Sequence, residues 1–481
     1  MRGDHPVPVE LDEPLQDAGP VDVPVARGSR RAVVLVVAAL GLVLLAVAVV
    51  VSVSQQRQAA GRRADLDALG WVLPTLDGPL EPAWTGQAGW TVATVDGVLV
   101  LADDEGQGGL RGVDAHTGQV VWERGEGEGC AAVSAGTEGA TGSTGSVGAV
   151  LPATPARLVV CVPAANYARG LPVAGSSTPV VAVDPATGVV VDTLDLPGSF
   201  LLQQGVDQDV VVAYVLADGA LGAVRWVPAE GRVAWTFTGE PGMLPDGVFG
   251  PWAHRVADGV LTLQAVDVAA LDLSTGQAVP ADDDVLLQRH GLPDGAAVWR
   301  YDDDGVALDV RLVAADGTTR ASLPGVPWLA DREDGSTPQV LVVQPAASEG
   351  LVGLDAATGA ELWRLPGEFW GRSPLHVDGL SVAMGPSGIT VVATDDGGVA
   401  WSRRAAVTAP VALTDGRLLL VPVTIRGAGH LVALELATGV EVWRVAAPAG
   451  AVELYATAGV VVVVGAQESA GFVPGRDAAS R

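Results

Sequence analysis

Leu351-Val352-Gly353-Leu354-Asp355-Ala356-Ala357-Thr358-Gly359-Ala360-Glu361-Leu362-Trp363 is the unit from which most of this chain is built: an apolar strand, an Asp-x-x-Thr-Gly turn, and a second strand ending in Trp. The same phrase runs from Val113 through Asp114 and Gly118 to Trp122, and from Leu434 through Glu435 and Gly439 to Trp443, with Glu for Asp in the second. Weaker copies carry Asp184 with Gly188 and Asp272 with Gly276, and three more keep only the turn: Gly231 with Trp235, Asp316-Gly317, and Asp396-Gly397 with Trp401. From Gly188 to Gly439 the turn glycines recur roughly every 42 residues, and a period of about 40 to 50 residues in an all-β chain marks propeller blades. Each residue type has a physical reason. Asp at the first turn position accepts hydrogen bonds from backbone N–H groups two and three residues on. Gly at the last supplies the left-handed conformation of a bulged hairpin. A large ring at one register in many blades, at Trp122, Trp235, Trp363, Trp401 and Trp443, suits a space between neighbouring blades, with the indole N–H reaching a backbone acceptor. Stacking on a ligand is the competing use of any one of them.

The phrase resembles the repeat of quinoprotein-like, or PQQ-repeat, β-propellers. Val268-Ala269-Ala270-Leu271-Asp272-Leu273-Ser274-Thr275-Gly276 and Leu431-Val432-Ala433-Leu434-Glu435-Leu436-Ala437-Thr438-Gly439 are close to its consensus. The resemblance covers residues 84–467 and implies an eight-bladed propeller, the number that counting turns also supports. A strand pair is left over at Val452 to Tyr455 and Val460 to Val464, which leaves seven or nine blades open. Propellers close by pairing strands from both chain ends, and the stretch 54–83, a linker otherwise, holds a possible closing strand at Trp71 to Trp84; Trp90 to Val95 is the other candidate. Residues 468–481 are expected to be a flexible C-terminal tail. An insertion at about 125–156, dominated by Gly, Ser, Thr and Ala, is too poor in apolar residues to pack and is expected to form a surface loop.

Ahead of the repeats, Ala32 to Val53 is an uncharged run of roughly 22 apolar or small residues, long enough to cross a bilayer as a helix. A signal peptide's apolar core is about 7 to 15 residues long. Here a polar, Pro-containing stretch, 1–31, comes first, although Ser52-Val53-Ser54 is a weak cleavage site. Arginines flank the run on both sides, at 27, 30 and 31 and at 57, 62 and 63, so the positive-inside rule does not orient it. The two cysteines do. Cys130 and Cys161 are the only ones, both near one insertion, as expected for a disulfide outside the cytosol; two free thiols is the alternative. The expected arrangement is a disordered cytoplasmic tail (1–31), a single-pass membrane anchor (32–53) and an extracytoplasmic propeller.

The 28 basic residues are all Arg, and the formal charge of −28 excludes the basic stripe that nucleic-acid binding needs. Asp282-Asp283-Asp284 and Asp302-Asp303-Asp304 lack EF-hand spacing and read as solvated hairpin loops. The six histidines, at 5, 116, 254, 290, 376 and 430, share no ligand spacing, and there is neither a haem-attachment motif nor a nucleophile elbow. No residue is singled out as catalytic, cofactor-binding or metal-ligating. The resemblance implies PQQ with calcium only if the chain is a dehydrogenase, and in those relatives a vicinal disulfide often faces the quinone; this chain has no adjacent cysteines. The function expected from sequence is a non-catalytic binding or assembly scaffold for a protein, peptide or cell-envelope ligand. A PQQ-dependent sugar or alcohol dehydrogenase and an extracytoplasmic ligand-sensing receptor are the alternatives.

Overall fold

The computed structural model describes residues 71–475 apart from 77, 88, 103–108, 126–128, 135–155, 163–176, 207–208, 242–252, 258, 265–267, 281–287, 302–306 and 346–349, together with Arg62, Leu66 and Leu69. Contacts divide the chain into Met1–Ala64 and Asp65–Arg481, and every strand lies in the second unit. The expected membrane span, 32–53, lies outside the described residues, as do the acidic triplets at 282–284 and 302–304. No helix among the described residues is long and apolar enough to cross a membrane.

The described strands form nine four-stranded sheets. Blade 1 is Trp90–Val95, Val98–Ala102, Leu110–Asp114 and Val120–Arg124, paired in that order from first to last. Blades 2 to 8 repeat the meander over residues 129–196, 199–238, 253–279, 288–322, 325–365, 375–403 and 413–446. Blade 9 is assembled from both ends of the chain. Glu453–Thr457, Val460–Val464 and Glu468–Pro474 form a meander, and Leu80–Gln87 adds antiparallel to its outer edge.

The expectation of eight blades is therefore corrected to nine. Each counted turn joins the third strand of a blade to its fourth. In blade 9 those two strands are the two chain ends, so no turn joins them and turn counting falls one short. For the same reason Glu468–Pro474, expected in a tail, is a strand. Gly129–Ser134, at the start of the expected insertion, is likewise the first strand of blade 2.

The inner strands of the sheets are covered on both faces, and this is why they are continuous apolar runs rather than alternating ones. In Leu418–Ile425 of blade 8, Leu418 and Leu420 join a cluster with Leu454, Val461 and Val463 of blade 9. Leu419, Val421 and Val423 point the other way, into a cluster with Val382, Met384 and Val391 of blade 7. Similar clusters join blades 1 and 2, 2 and 3, 3 and 4, 5 and 6, and 6 and 7. Blade 9 meets blade 1 through Trp84, Leu99, Leu101, Tyr455 and Val462. The ring is thus closed by packing between blades and by one strand pairing within blade 9.

Trp84, on the closing strand, occupies the register that Trp122 occupies in blade 1, and it is buried. Trp84→Ala is expected to lower the unfolding free energy by about 3 to 5 kcal/mol, as for other fully packed rings. Denaturant melts measure this, and a loss below about 1 kcal/mol would mean that the closing strand does not hold the ring.

Candidate functional site

The repeated turns carry the geometry that their residue types favour. Asp114 Oδ1 accepts from the N–H groups of His116 (3.0 Å) and Thr117 (2.8 Å) and from Thr117 Oγ1 (2.9 Å), while Gly118 N donates to Asp114 O (2.8 Å). Asp272 and Asp355 repeat the pattern, and Asp184 keeps its backbone half. Glu435 takes the Thr438 hydroxyl, with Gly439 N on its carbonyl. The donated bonds, from Thr117 to Asp114, Ser274 to Asp272 and Thr358 to Asp355 foremost, hold these carboxyls below their ordinary range. Gly118, Gly188, Gly276, Gly359 and Gly439 all have φ near +70°.

At several boundaries a tryptophan binds its blade to the next one's turn. Trp122 Nε1 donates to Pro185 O (3.2 Å), Trp235 to Leu273 O (2.9 Å), Trp363 to Thr394 O (2.8 Å) and Trp401 to Leu436 O (2.7 Å). The acceptor is always the carbonyl at the second position of the turn. Each ring also lies flat on the turn glycine: a Cβ on Gly188, Gly276, Gly397 or Gly439 would sit 2.5–2.6 Å from a ring carbon. Trp84, which sequence reasoning did not place in this set, does the same from blade 9, donating to Ala115 O (2.7 Å) and covering Gly118. Its signal was present, a Trp in an apolar strand, but no turn precedes it. Gly359 instead faces Ala321 of blade 5. Trp443 has no turn to meet in blade 9. Its Nε1 is buried without a partner, and the ring packs with Leu73, Leu76 and Leu80.

Cys130 and Cys161 form a disulfide, as directly opposed residues on the first and second strands of blade 2. The bridge therefore pins the strands that flank the insertion, whose residues 135–155 lie outside the described set.

Where the inner hairpins and the repeat turns share one face, the channel mouth is partly closed by chain from two places. In blades 1, 7 and 9 the first two strands are joined by tight turns, whereas blade 6 takes residues 328–339 to make the same connection. This strap leaves its own sheet and pairs in parallel with the inner strand of blade 7. Ser373 N donates to Leu329 O (3.0 Å), Asp331 N to Ser373 O (2.8 Å), His376 N to Arg332 O (2.9 Å) and Asp334 N to His376 O (3.2 Å). His376 Nε2 is 2.6 Å from Thr337 Oγ1 and 3.2 Å from Thr394 Oγ1, and burial pushes its pKa down. Residues 71–76 lie over blade 8, with Leu73 N on Thr414 O (2.8 Å), Leu76 N on Asp415 Oδ2 (2.9 Å) and Arg417 Nη2 on Leu76 O (3.1 Å).

Between these segments is a cavity of about 590 Å³. Asp96 and Thr457 on the hairpins of blades 1 and 9 line it together with Asp331, Arg332 and Glu333 of the strap. Blades 9 and 1 are not neighbours of blade 6, so these residues meet only across the axis. In the sequence the strap is only a charged run, Asp331-Arg332-Glu333-Asp334, with nothing local to show that it leaves its sheet or what it meets.

Among the described residues no group of three or more His, Cys, Asp and Glu could hold a metal ion. The disulfide joins opposed strands rather than sequence neighbours, and the carboxylates at the cavity do not converge. This donor set does not fit a quinone–calcium centre.

The family described as outer membrane protein assembly factor BamB matches residues 385–478, spanning the last two strands of blade 7, blade 8 and the three C-terminal strands of blade 9, and supports kinship with PQQ-repeat propellers. No curated protein matches the sequence significantly. Among solved structures, BamB from Moraxella catarrhalis is 15% identical over 82% of this chain and 100% of its own, with a TM-score of 0.40. The quinohemoprotein alcohol dehydrogenase ADHIIG from Pseudomonas putida HK5 is 14% identical over 85% and 79%, with a TM-score of 0.40. Saccharomyces cerevisiae Sqt1 is 12% identical over 82% and 98%, with a TM-score of 0.38. Likeness at this level says nothing about chemistry.

Burial raises the Asp331 carboxyl from 3.8 to about 6, against the pull of Arg372 (3.3 Å) and of Arg332. The folded chain then holds this proton more tightly than the unfolded chain. Ionisation costs stability as pH rises from about 4, and the loss is complete above about 6. Asp331→Asn removes that loss, so its stability relative to wild type should rise by about 1 to 3 kcal/mol between pH 4 and pH 7. A pH-independent difference in denaturant melts would contradict the assignment.

Proposed function

We propose that the chain is a membrane-tethered, extracytoplasmic propeller that acts as a non-catalytic binding or assembly scaffold. Residues 32–53 serve as its anchor, and a protein, peptide or cell-envelope ligand docks on its surface. The observation that carries this reading is a broken rim of exposed aliphatic side chains. Val120 and Val121 of blade 1, Val189 and Val191 of blade 2, Leu362 of blade 6, Val399 of blade 7, and Val440 and Val442 of blade 8 are between 38% and 61% exposed. All follow a turn glycine, at the start of the outermost strand of their blade or, for Val189 and Val440, just before it, where backbone groups also lack a further strand to pair with. Apolar side chains clustered beside open sheet edges favour protein contacts. The Cys130–Cys161 bridge supports an oxidising compartment, since disulfides persist there and are rare in the cytosol. The family match over residues 385–478, whose description concerns outer membrane protein assembly, supports an assembly role.

In intact cells, a cysteine introduced by Gly145→Cys is expected to react with a membrane-impermeant maleimide. A photo-crosslinking residue at Val440 is expected to give a discrete protein adduct that Val189 or Val121 positions extend around the rim. Labelling only after lysis would overturn the orientation, and the absence of adducts at all three rim positions would overturn the scaffold.

A further inference from the structure

The strap adds to blade 7 as a further, innermost strand. Ala330 bridges Ser373 and Glu333 bridges His376, both in parallel, along the edge of the inner strand of blade 7 that faces away from Leu380–Gly385. The bonds are made by Leu329 O, Asp331 N, Arg332 O and Asp334 N. A residue at the centre of a parallel bridge turns its own N–H and C=O to the opposite side of its strand. For Ala330 and Glu333 that side is the channel axis. Nothing among the described residues bonds the backbone N–H or C=O of either one. The channel mouth therefore holds an open strand edge whose other edge is pinned to the propeller wall. Such an edge is a template on which an extended chain adds as one more strand.

Space and charge beside the edge select the occupant. Asp331, Arg332 and Glu333 line the cavity of about 590 Å³, which is within the roughly 300 to 1,000 Å³ of ordinary ligand sites. Arg332 is the one cation among its described lining residues, against the carboxyls of Asp96, Asp331 and Glu333. The charge of Arg332 is already met by Asp331 beside it. Asp96 and Glu333 are exposed, and neither makes an ion pair among the described residues. The Glu333 carboxylate acts on the imidazoles of His290, on the inner strand of blade 5, and of His376, which sets it on the channel side of the ring. Two uncompensated carboxylates attract a cationic occupant and repel an anionic one.

We propose that the channel mouth binds an extended peptide segment that carries an arginine or lysine side chain. Its backbone pairs with the open edge of the strap at Ala330 and Glu333, and its cationic side chain lies toward Glu333 and Asp96. The site goes beyond the scaffold reading and shares no residue with the outer rim, so peptide binding here and crosslinking at the rim succeed or fail separately.

Three probes divide backbone pairing from charge: acetyl-Thr-Val-Arg-Val-Thr-amide, the same peptide with Glu for Arg, and n-butylguanidinium, which has the cation without the backbone. Saturation-transfer NMR with the full chain in detergent near neutral pH is expected to show the Arg peptide bound at submillimolar concentration. The other two probes should bind about tenfold more weakly or worse. Ala330→Pro removes one donor from the open edge and spares Leu329 O and Asp331 N, which hold the strap to Ser373. It should weaken the Arg peptide by about threefold to tenfold, as losing one hydrogen bond does. Joint Asp96→Asn and Glu333→Gln should weaken it by about threefold or more and leave the Glu peptide no weaker. N-methylation of the Arg peptide, either at its two valines or at its arginine and threonines, makes the backbone test from the ligand side, even if Ala330→Pro does not fold. Only one edge of a paired strand faces its neighbour, so one methylated set should abolish binding and the other should be tolerated. No binding of the Arg peptide, equal or tighter binding of either other probe, unchanged affinity in folded Ala330→Pro or in the double variant, or equal effects of the two methylated sets would each overturn the proposal.

Discussion

The contact of an indole ring with the turn of the next blade is the interaction on which the remainder of this propeller depends. A ring such as Trp401 covers Gly439 and donates to Leu436 O at 2.7 Å, so it joins apolar burial to a directed hydrogen bond across a blade boundary. Both halves need the same turn. Asp or Glu at its start organises the backbone that presents the carbonyl, and Gly at its end leaves room for the ring. The repeated phrase is therefore a two-blade device: its Asp and Gly serve the blade before it, and its Trp serves the blade after it.

The constraint has a consequence where the ring closes. Blade 9 supplies a Trp, Trp84, but no turn, because its third and fourth strands belong to opposite ends of the chain. Trp443 of blade 8 is left with its Nε1 unpartnered, and Leu73, Leu76 and Leu80 fill the space that a turn fills elsewhere. The same N-terminal segment then passes over blade 8 and forms one wall of the cavity. Closure, the docked segment and the enclosed mouth of the channel thus share one structural origin.

Much of this was legible in the sequence, for a physical reason. The turn positions at Asp114, Asp272, Asp355 and Glu435 depend on bonds made within five residues, and local patterns record local bonds. The tryptophan register was legible because it repeats with the turn. Trp84 was not, because a ring is recognisable by its distance from a preceding turn and the closing strand has none. The ninth blade escaped for the same reason. The cysteines could be paired by elimination, yet their direct opposition on adjacent strands needed the register of blade 2. The strap and Arg332 lay beyond reach altogether, since their partners in blades 7, 9 and 1 are brought together only by the closed ring.

The central claim is most directly tested by a double-mutant cycle at one blade boundary. A Cβ on Gly397 would lie 2.6 Å from Trp363 Cγ, and its φ of +69° is itself unfavourable for alanine by about 1 to 2 kcal/mol. Denaturant unfolding of wild type, Gly397→Ala, Trp363→Ala and the double variant separates the two costs. The account predicts that Gly397→Ala is far more damaging in wild type than beside Trp363→Ala, where only the backbone cost of about 1 to 2 kcal/mol remains. Costs equal to within about 0.5 kcal/mol in both backgrounds would contradict it, and would mean that ring and turn do not bear on each other.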